Sequence, residues 1–314
     1  MRAICVRAFG DVDTLALEEV PRPTAGDGEV LVRVHAAGVN SLDWLVRQGG
    51  FEEFSHIRPP WIPGWDLSGV VAETGPRTSG FAIGQQVFGM VRLPLPGDAY
   101  AEYASVPAEH LAPKPAALDH AHAAAVPMAA LTAWRALFDE GRLRPGQRVL
   151  VHAAAGGVGH LAVQLAKTRE AHVVATASAG NAGFLQALGV DQLIDYRTQR
   201  FEEATAPVDL VVDTLGGAVQ ARSLQVLKRG GTLVSLPSEI AADVRVAALA
   251  RGVRTRYFSV VPDADALTRI GLLVEAGRLA PTIQSVRALA EAPAAHAEGE
   301  TGHVRGKLVL DTLS

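Results

Sequence analysis

The sequence has one cysteine, no long apolar run and no marked excess of either charge. The single cysteine, Cys5, excludes an intramolecular disulfide and any zinc site built from several thiolates. A formal net charge of −4 over 314 residues argues against a nucleic-acid partner. The longest weakly polar stretch, near 121–133, is interrupted by Pro127 and is too short to cross a bilayer, so no membrane partner is expected.

The composition is that of a globular protein. Hydrophobic residues make up 48% of the chain and charged residues 20%, which is enough apolar material for two domains. The first residues lack the apolar run of a signal peptide. A reducing, cytoplasmic setting is therefore expected.

The stretch 148–167 contains the most informative pattern. A short valine-rich strand at 148–152 is followed by a turn of small residues and then by apolar residues at helical spacing. The turn 154–159 fits G-x-G-x-x-G with alanine at the first position, and such a turn directs a helix N-terminus at a pyrophosphate. An ordinary strand–helix turn is the alternative. The predicted nucleotide-binding residues are Ala154, Gly156, Gly157, Val158 and Gly159.

The pattern of the chain changes near residue 118. Before it, short apolar runs alternate with glycine and proline turns, which favours a compact β-barrel-like domain. After it, strands alternate with helices, which predicts a doubly wound parallel sheet in an α/β fold. The segment 306–310 is strand-like and is predicted to return to the first domain.

Several segments of the chain occur in the order and at the spacing found in one enzyme family. They include 38–43, 63–69, 99–103, 149–167, 209–213 and 306–310. Together they resemble the zinc-independent quinone oxidoreductase branch of the medium-chain dehydrogenase/reductase superfamily. The resemblance implies a Rossmann domain at 118–277. It also implies a GroES-like β-barrel catalytic domain at 1–117, completed by 278–314, with the active site in a cleft.

The residues at the family's zinc positions are not the usual ligands. Zinc-dependent relatives have a cysteine where this chain has Asn40 and a histidine where it has Trp65, and neither replacement is a usual zinc ligand. Asp66 supplies one carboxylate, which does not hold a catalytic zinc. The histidines at 120, 122, 152 and 160 are expected to have structural roles. No metal is therefore expected.

Without a zinc ligand set, nothing evident would lower the pKa of an alcohol hydroxyl. Hydride addition to a quinone or an α,β-unsaturated carbonyl is easier than alcohol oxidation, because the negative charge that forms spreads onto oxygen. Water can then complete the protonation. The predicted function is NADPH-dependent reduction of such a small molecule. An alkenal or enoyl double-bond reductase and a nucleotide-binding redox sensor with little turnover are the alternatives.

Asn40 is the predicted catalytic residue, because its amide can donate a hydrogen bond to a developing oxyanion. A simple turn residue is the alternative. Asp43 and Arg47 stand at i, i+4 and are expected to pair on a helix. An apolar substrate pocket, with core packing as the alternative, is expected to contain Trp44, Phe51 and Trp65.

The cofactor is predicted to be NADPH. No acidic residue occurs at 173–181, so nothing there would repel a 2′-phosphate. Ser178 and Asn181 can donate hydrogen bonds to it, and Arg197 beside Tyr196 is the candidate cation. Further cofactor contacts are predicted at Thr132, Leu215, Gly216, Leu236, Ser238, Arg305 and Lys307.

The segment 251–260 is predicted to be the last strand of the Rossmann sheet. An unpaired strand edge favours pairing with the same edge of a second subunit about a two-fold axis. A homodimer is therefore expected, although the arginines of this segment could instead protect the edge from pairing.

Overall fold

A computed structural model describes residues 1–50, 54 and 56–314. The chain divides into two compact units, one of Met1–Leu131 with Val261–Ser314 and one of Thr132–Val260. The domain boundaries predicted at 117/118 and 277/278 remain predictions. Among the helices of these residues, none has both the length and the apolar character that a membrane span requires.

The strands and helices follow one another along the whole chain. The strands are β1 (Arg2–Val6), β2 (Leu15–Glu19), β3 (Glu29–Val39), β4 (Asp66–Thr74), β5 (Gln86–Met90), β6 (Tyr103–Pro107), β7 (Leu111–Pro113), β8 (Arg148–Val151), β9 (His172–Ala177), β10 (Gln192–Asp195), β11 (Val208–Asp213), β12 (Leu227–Ser235), β13 (Arg254–Tyr257), β14 (Ile283–Ala288) and β15 (Lys307–Asp311). The α-helices are α1 (Ser41–Arg47), α2 (His120–Ala124), α3 (Pro127–Trp134), α4 (Gly159–Lys167), α5 (Ala182–Ala187), α6 (Phe201–Ala204), α7 (Ala218–Ser223), α8 (Ala242–Ala250), α9 (Ala264–Glu275) and α10 (Ala292–Glu300).

The first unit is built on a mostly antiparallel sheet in the order β14-β15-β3-β4-β5-β7, with β6 also paired to β3. β15 runs antiparallel to β3, with Leu308 opposite Val39, which confirms that the last strand returns to the first part of the chain. Helix α2 packs on β3 and β4, and α9 packs on β7. This packing explains why both helices belong to the first unit.

The second unit contains a parallel sheet in the order β10-β9-β8-β11-β12-β13. The predicted doubly wound sheet is thereby confirmed. The strand order reverses between β8 and β11, and ligands bind at such switch points beside the carboxyl ends of the strands. β13 is an edge strand, as the sequence predicted.

Two elements differ from the sequence-based expectation. The sequence predicts a helix over 217–227 that ends before the pair Gly230-Gly231. In the structure α7 ends at Ser223, and the glycine pair lies inside β12. The chain between α7 and β12 forms a compact turn in place of a longer helix, because the turn buries the apolar side chains of Leu224, Val226 and Leu227. Helix α10 was not predicted, because its alanine-rich sequence has little apolar periodicity.

Candidate functional site

The glycine-rich turn joins β8 to α4 in the second unit. The Ala154 amide donates to the Thr176 carbonyl oxygen at 3.0 Å, which holds the turn against β9. A Cβ at Gly159 would lie 2.5 Å from the Ala153 carbonyl oxygen, so this close approach requires glycine. Val158, the N-cap of α4, offers no side-chain cap to the helix. The His160 amide already donates to the Gly156 carbonyl oxygen at 3.1 Å, so the amides that suit an anion such as a pyrophosphate are those of the turn 157–159.

In the second unit, eight of the other predicted cofactor residues follow the carboxyl ends of the strands of its sheet. The carboxyl ends of parallel strands share one edge, which is where cofactors sit in such folds. The residues are Ser178 and Asn181 after β9, Tyr196 and Arg197 after β10, Leu215 and Gly216 after β11, and Leu236 and Ser238 after β12. Thr132 is half-buried on α3.

Asp213, at the end of β11, shapes the turn that follows it. Its Oδ1 accepts hydrogen bonds from the amides of Leu215 at 2.9 Å and Gly216 at 3.0 Å. Burial raises the pKa of the Asp213 carboxyl, and these two bonds oppose that rise. A Cβ at Gly216 would lie 3.2 Å from Ser238 Oγ, so the loops after β11 and β12 are adjacent.

The ends of β9 and β10 place polar groups side by side. Asn181 Nδ2 donates to Ser178 Oγ at 3.1 Å. Tyr196 is 53% exposed, and the exposed Arg197 guanidinium lies 5.8 Å from the centroid of its ring. Asp195 Oδ1 accepts from the Arg197 amide at 3.1 Å, which turns this carboxylate toward its own loop.

Asn40 lies at the junction of β3 and α1 and is 8% exposed. Its Nδ2 donates to Asp66 Oδ2 at 3.0 Å, and Lys307 Nζ donates to its Oδ1. Lys307 Nζ also lies 3.7 Å from Asp66 Oδ2. The Met128 amide donates to the other carboxylate oxygen of Asp66 at 2.8 Å. We call these three side chains the Asn40–Asp66–Lys307 cluster.

Both charged members of this cluster are buried. Burial raises the pKa of Asp66, and Lys307 opposes that rise. Burial lowers the pKa of Lys307, and Asp66 opposes that fall. Each charge therefore helps to keep its partner ionised in an environment of low polarity.

Asp43 connects Asn40 to a second group of buried polar side chains. The backbone N–H of Asn40 donates to Asp43 Oδ2 at 2.7 Å, and Tyr100 Oη donates to the same oxygen at 2.9 Å. Tyr100 Oη also lies 3.2 Å from His296 Nε2. Burial raises the pKa of Asp43 to about 7, because these bonds only partly offset the loss of hydration.

The predicted ion pair between Asp43 and Arg47 is wrong. The fully buried Arg47 places its Nη2 2.5 Å from Glu300 Oε1 on α10. The Asp43 carboxylate turns back to accept from the backbone N–H of Asn40 at the start of α1, away from the later turn that contains Arg47. Local bonding at the helix start therefore prevails over the i, i+4 attraction.

The aromatic residues predicted for a substrate pocket lie in different surroundings. Trp65 is fully buried, and its Nε1 donates to the Leu95 carbonyl oxygen at 2.8 Å. Its ring packs against those of Phe54 and Trp61, with 5.8 Å between ring centroids in each pair. Trp44 instead packs edge-on against His296 of α10. Phe51 lies outside the described residues.

The remaining predicted residues bond to protein groups. The Arg305 amide donates to Gln284 Oε1 at 2.7 Å, and its side chain is exposed. The four histidines have hydrogen-bond partners at Ser68 for His120, Asp119 for His122, Thr176 and Ser223 for His152, and Gly156 for His160. Among the residues with described positions, no group of three or more His, Cys, Asp or Glu could hold a metal ion.

The partners of Lys307 are not evident from the sequence. This lysine is a predicted cofactor contact, and in the structure its ammonium donates to Asn40 Oδ1, 267 positions away in the chain. The available signal was a lysine at the start of the apolar strand Leu308–Leu310, since a buried ammonium requires acceptors.

Comparisons with known families and structures agree with this architecture. Residues 26–116 match the model of the alcohol dehydrogenase GroES-like domain, and residues 188–310 match that of a zinc-binding dehydrogenase. The structure of the quinone oxidoreductase from Coxiella burnetii is 37% identical and has a TM-score of 0.94, with 99% of each chain covered. The Escherichia coli quinone oxidoreductase complexed with NADPH is 25% identical and has a TM-score of 0.89, with 99% of this chain and 100% of the other covered.

Curated relatives include both single enzymes and parts of larger proteins. The 2-methylene-furan-3-one reductase of Solanum lycopersicum is 32% identical over 100% of this chain and 79% of its own length. The spectinabilin polyketide synthase system protein NorB of Streptomyces orinoci is 38% identical over 96% of this chain, which spans only 14% of that protein. The chain therefore belongs to the medium-chain dehydrogenase/reductase superfamily, in its quinone oxidoreductase branch, and is an NAD(P)H-dependent oxidoreductase.

Proposed function

We propose that this protein is a zinc-independent reductase that uses NADPH to reduce quinones or α,β-unsaturated carbonyl compounds. The observation that carries the proposal is the Asn40 amide, whose Nδ2 has two hydrogens and gives one of them to Asp66. The second hydrogen suits a substrate oxygen. The names of the Coxiella burnetii and Solanum lycopersicum relatives, a quinone oxidoreductase and a 2-methylene-furan-3-one reductase, support the two substrate classes.

When bound, NADPH supplies a hydride from nicotinamide C4. The amides of the glycine-rich turn at the start of α4 would hold the pyrophosphate, and the loops after β9 to β12 would hold the rest of the nucleotide. The second Nδ2 hydrogen of the Asn40 side chain would donate to the substrate oxygen, on which negative charge would grow during hydride transfer. Solvent water would then protonate the enolate or hydroquinone anion. No side chain of the Asn40–Asp66–Lys307 cluster needs to change its protonation state.

Steady-state oxidation of NADPH with a quinone panel and an enal panel tests this function. We expect turnover that a metal chelator does not reduce. Asn40→Leu is expected to lower kcat by about a hundredfold, the usual effect of losing one oxyanion donor. Ser41→Ala, an exposed neighbour on α1, is the matched control and should retain full activity. NADPH binding without turnover of any panel member would instead favour the redox-sensor alternative.

The preference for NADPH over NADH is proposed to depend on Arg197. Arg197 has an exposed side chain and comes directly after β10. This end of β10 pairs with the end of β9, after which Ser178 and Asn181 lie. A charge-assisted bond to a 2′-phosphate contributes roughly 1.5–3 kcal/mol, so Arg197→Ala should reduce the ratio of kcat/KM values for the two cofactors ~10–100-fold. Arg254→Ala, at the amino end of β13, is the control. An unchanged ratio in Arg197→Ala would refute this role.

A homodimer formed through β13 is also proposed. The strand is at the sheet edge, and the neighbouring α8 exposes 70% of Val246 and 81% of Leu249. Pairing of two such edges about a two-fold axis would extend the sheet and cover apolar surface. Light scattering at micromolar concentration should give twice the chain mass of 33.0 kDa. A mass equal to one chain would contradict the proposal.

A further inference from the structure

The Asn40–Asp66–Lys307 cluster allows one orientation of the Asn40 amide. In the observed orientation the carbonyl oxygen Oδ1 faces the Lys307 ammonium, and Nδ2 faces the Asp66 carboxylate. A flip of the amide would place its NH₂ group against an ammonium and its carbonyl oxygen against a carboxylate. Both contacts would be repulsive, because an ammonium only donates and a carboxylate only accepts.

The residues around the cluster make a flip of the Asn40 side-chain amide still less favourable. Lys307 is 4% exposed and Asp66 is fully buried, so water does not weaken the two charges much. The Met128 amide fixes the second oxygen of Asp66, which limits rotation of that carboxylate. An ammonium on Oδ1 also withdraws electron density from the amide and makes its remaining N–H a stronger donor.

We propose that Lys307 and Asp66 are positioning residues, which fix the Asn40 amide so that its second Nδ2 hydrogen points to the substrate oxygen. This inference rests on the proposed function of Asn40. It assigns Lys307 to the substrate side of the reaction, whereas the sequence alone placed it among the cofactor contacts. The two roles predict different kinetic effects.

Lys307→Met separates the two roles, because it removes the ammonium and retains most of the side-chain volume. We expect kcat to fall about ten- to a hundredfold, as for other residues that orient a reacting group, with little change in the Kd for NADPH. Lys307→Arg retains a cationic donor and should restore much of the lost kcat. Lys228→Met breaks the exposed pair with Asp209 and is the matched control. A raised Kd with unchanged kcat would overturn the proposal.

Lys307→Met leaves Asp66 without its cation, so this variant could fail to fold. The double variant Lys307→Met/Asp66→Asn removes both charges at nearly constant volume. Its amide at position 66 can face Asn40 with either oxygen or nitrogen, so the flip is no longer penalised. We expect the double variant to fold and to show the same loss of kcat. Wild-type kcat in a folded double variant would overturn the proposal.

A spectroscopic test does not depend on turnover. The chain has only two asparagines, Asn40 and Asn181, so labelling with ¹⁵N-asparagine gives two side-chain NH₂ pairs in an NMR spectrum. Asn181→Ala assigns them. We expect Lys307→Met to move the Asn40 pair and to leave the Asn181 pair in place, which serves as an internal control. An unmoved Asn40 pair would overturn the positioning role.

The two tests also distinguish failure of the proposed function from failure of this inference. If the wild-type protein reduces no member of either panel, the function proposed for Asn40 fails, and the NMR comparison still decides whether Lys307 orients its amide. If turnover occurs and the Asn40 pair does not move in Lys307→Met, the function stands and the positioning role is wrong.

Discussion

Replacement of Gly159 with alanine is expected to weaken NADPH binding by about ten- to a hundredfold, which corresponds to the 1–3 kcal/mol typical of overpacking. An alanine Cβ would lie 2.5 Å from the Ala153 carbonyl oxygen and 2.7 Å from Ala154 Cα. Both are backbone atoms, so the first turn of α4 must move away from the loop. The amides that suit the pyrophosphate would move with it. The Kd for NADPH, measured by fluorescence titration, checks this expectation.

Gly183→Ala is the matched control for this substitution. Gly183 lies on α5 with open space around the position of a new Cβ. We expect this variant to bind NADPH like the wild type and to gain about 0.5 kcal/mol in the free energy of unfolding, because alanine favours a helix over glycine. An unchanged Kd in Gly159→Ala would show that the close approach to Ala153 is not needed for binding.

The contribution of Asp43 to stability is expected to fall as the pH rises from about 4 to 7. Its carboxyl has an ordinary pKa of 3.8, and burial raises the pKa in the folded protein to about 7. Below pH 4 both states hold the proton. Between the two values only the folded state holds it, so deprotonation favours unfolding progressively. At about 1.4 kcal/mol for each pH unit, the full loss is on the order of 4 kcal/mol at most.

Asp43→Asn should abolish this component of the pH dependence. The side-chain oxygen of the new residue can still accept from the backbone N–H of Asn40 and from Tyr100 Oη, and the new side chain does not titrate. Urea unfolding at pH 4 to 8 should show that the variant gains stability relative to the wild type up to pH 7, with little further gain above it. Asp265→Asn, at an exposed position on α9, should follow the wild-type curve. Parallel curves for wild type and Asp43→Asn would contradict the prediction.

The two groups of candidate residues, one in each unit, differ in how far the sequence reveals them. The turn at 154–159 has its strand and helix directly beside it, so local spacing predicts the nucleotide-binding element. The sheet then brings Ser178, Gly216 and Ser238 to one edge because parallel strands share a direction. These positions follow from the order of the strands alone.

The polar cluster around Asn40 depends instead on contacts between distant parts of the chain. Local patterns cannot indicate that Lys307 reaches Asn40 or that Tyr100 reaches His296. The error for Arg47 has the same origin, because its partner Glu300 belongs to α10. Spacing on one helix gives the neighbours that a side chain could have, and tertiary packing decides between them.

The position of β15 has a consequence for biosynthesis. β15 pairs with Ala36–Val39 of β3, and β6 pairs with Glu29–Arg33 of the same strand. During translation, all strands of the parallel sheet leave the ribosome before β15 does. The second unit can therefore fold early, while the part of β3 that pairs with β15 keeps an unpaired edge until β15 emerges. An unpaired strand edge can pair with another chain, so a ribosome that pauses before β15 would expose an edge of β3 at which nascent chains could aggregate.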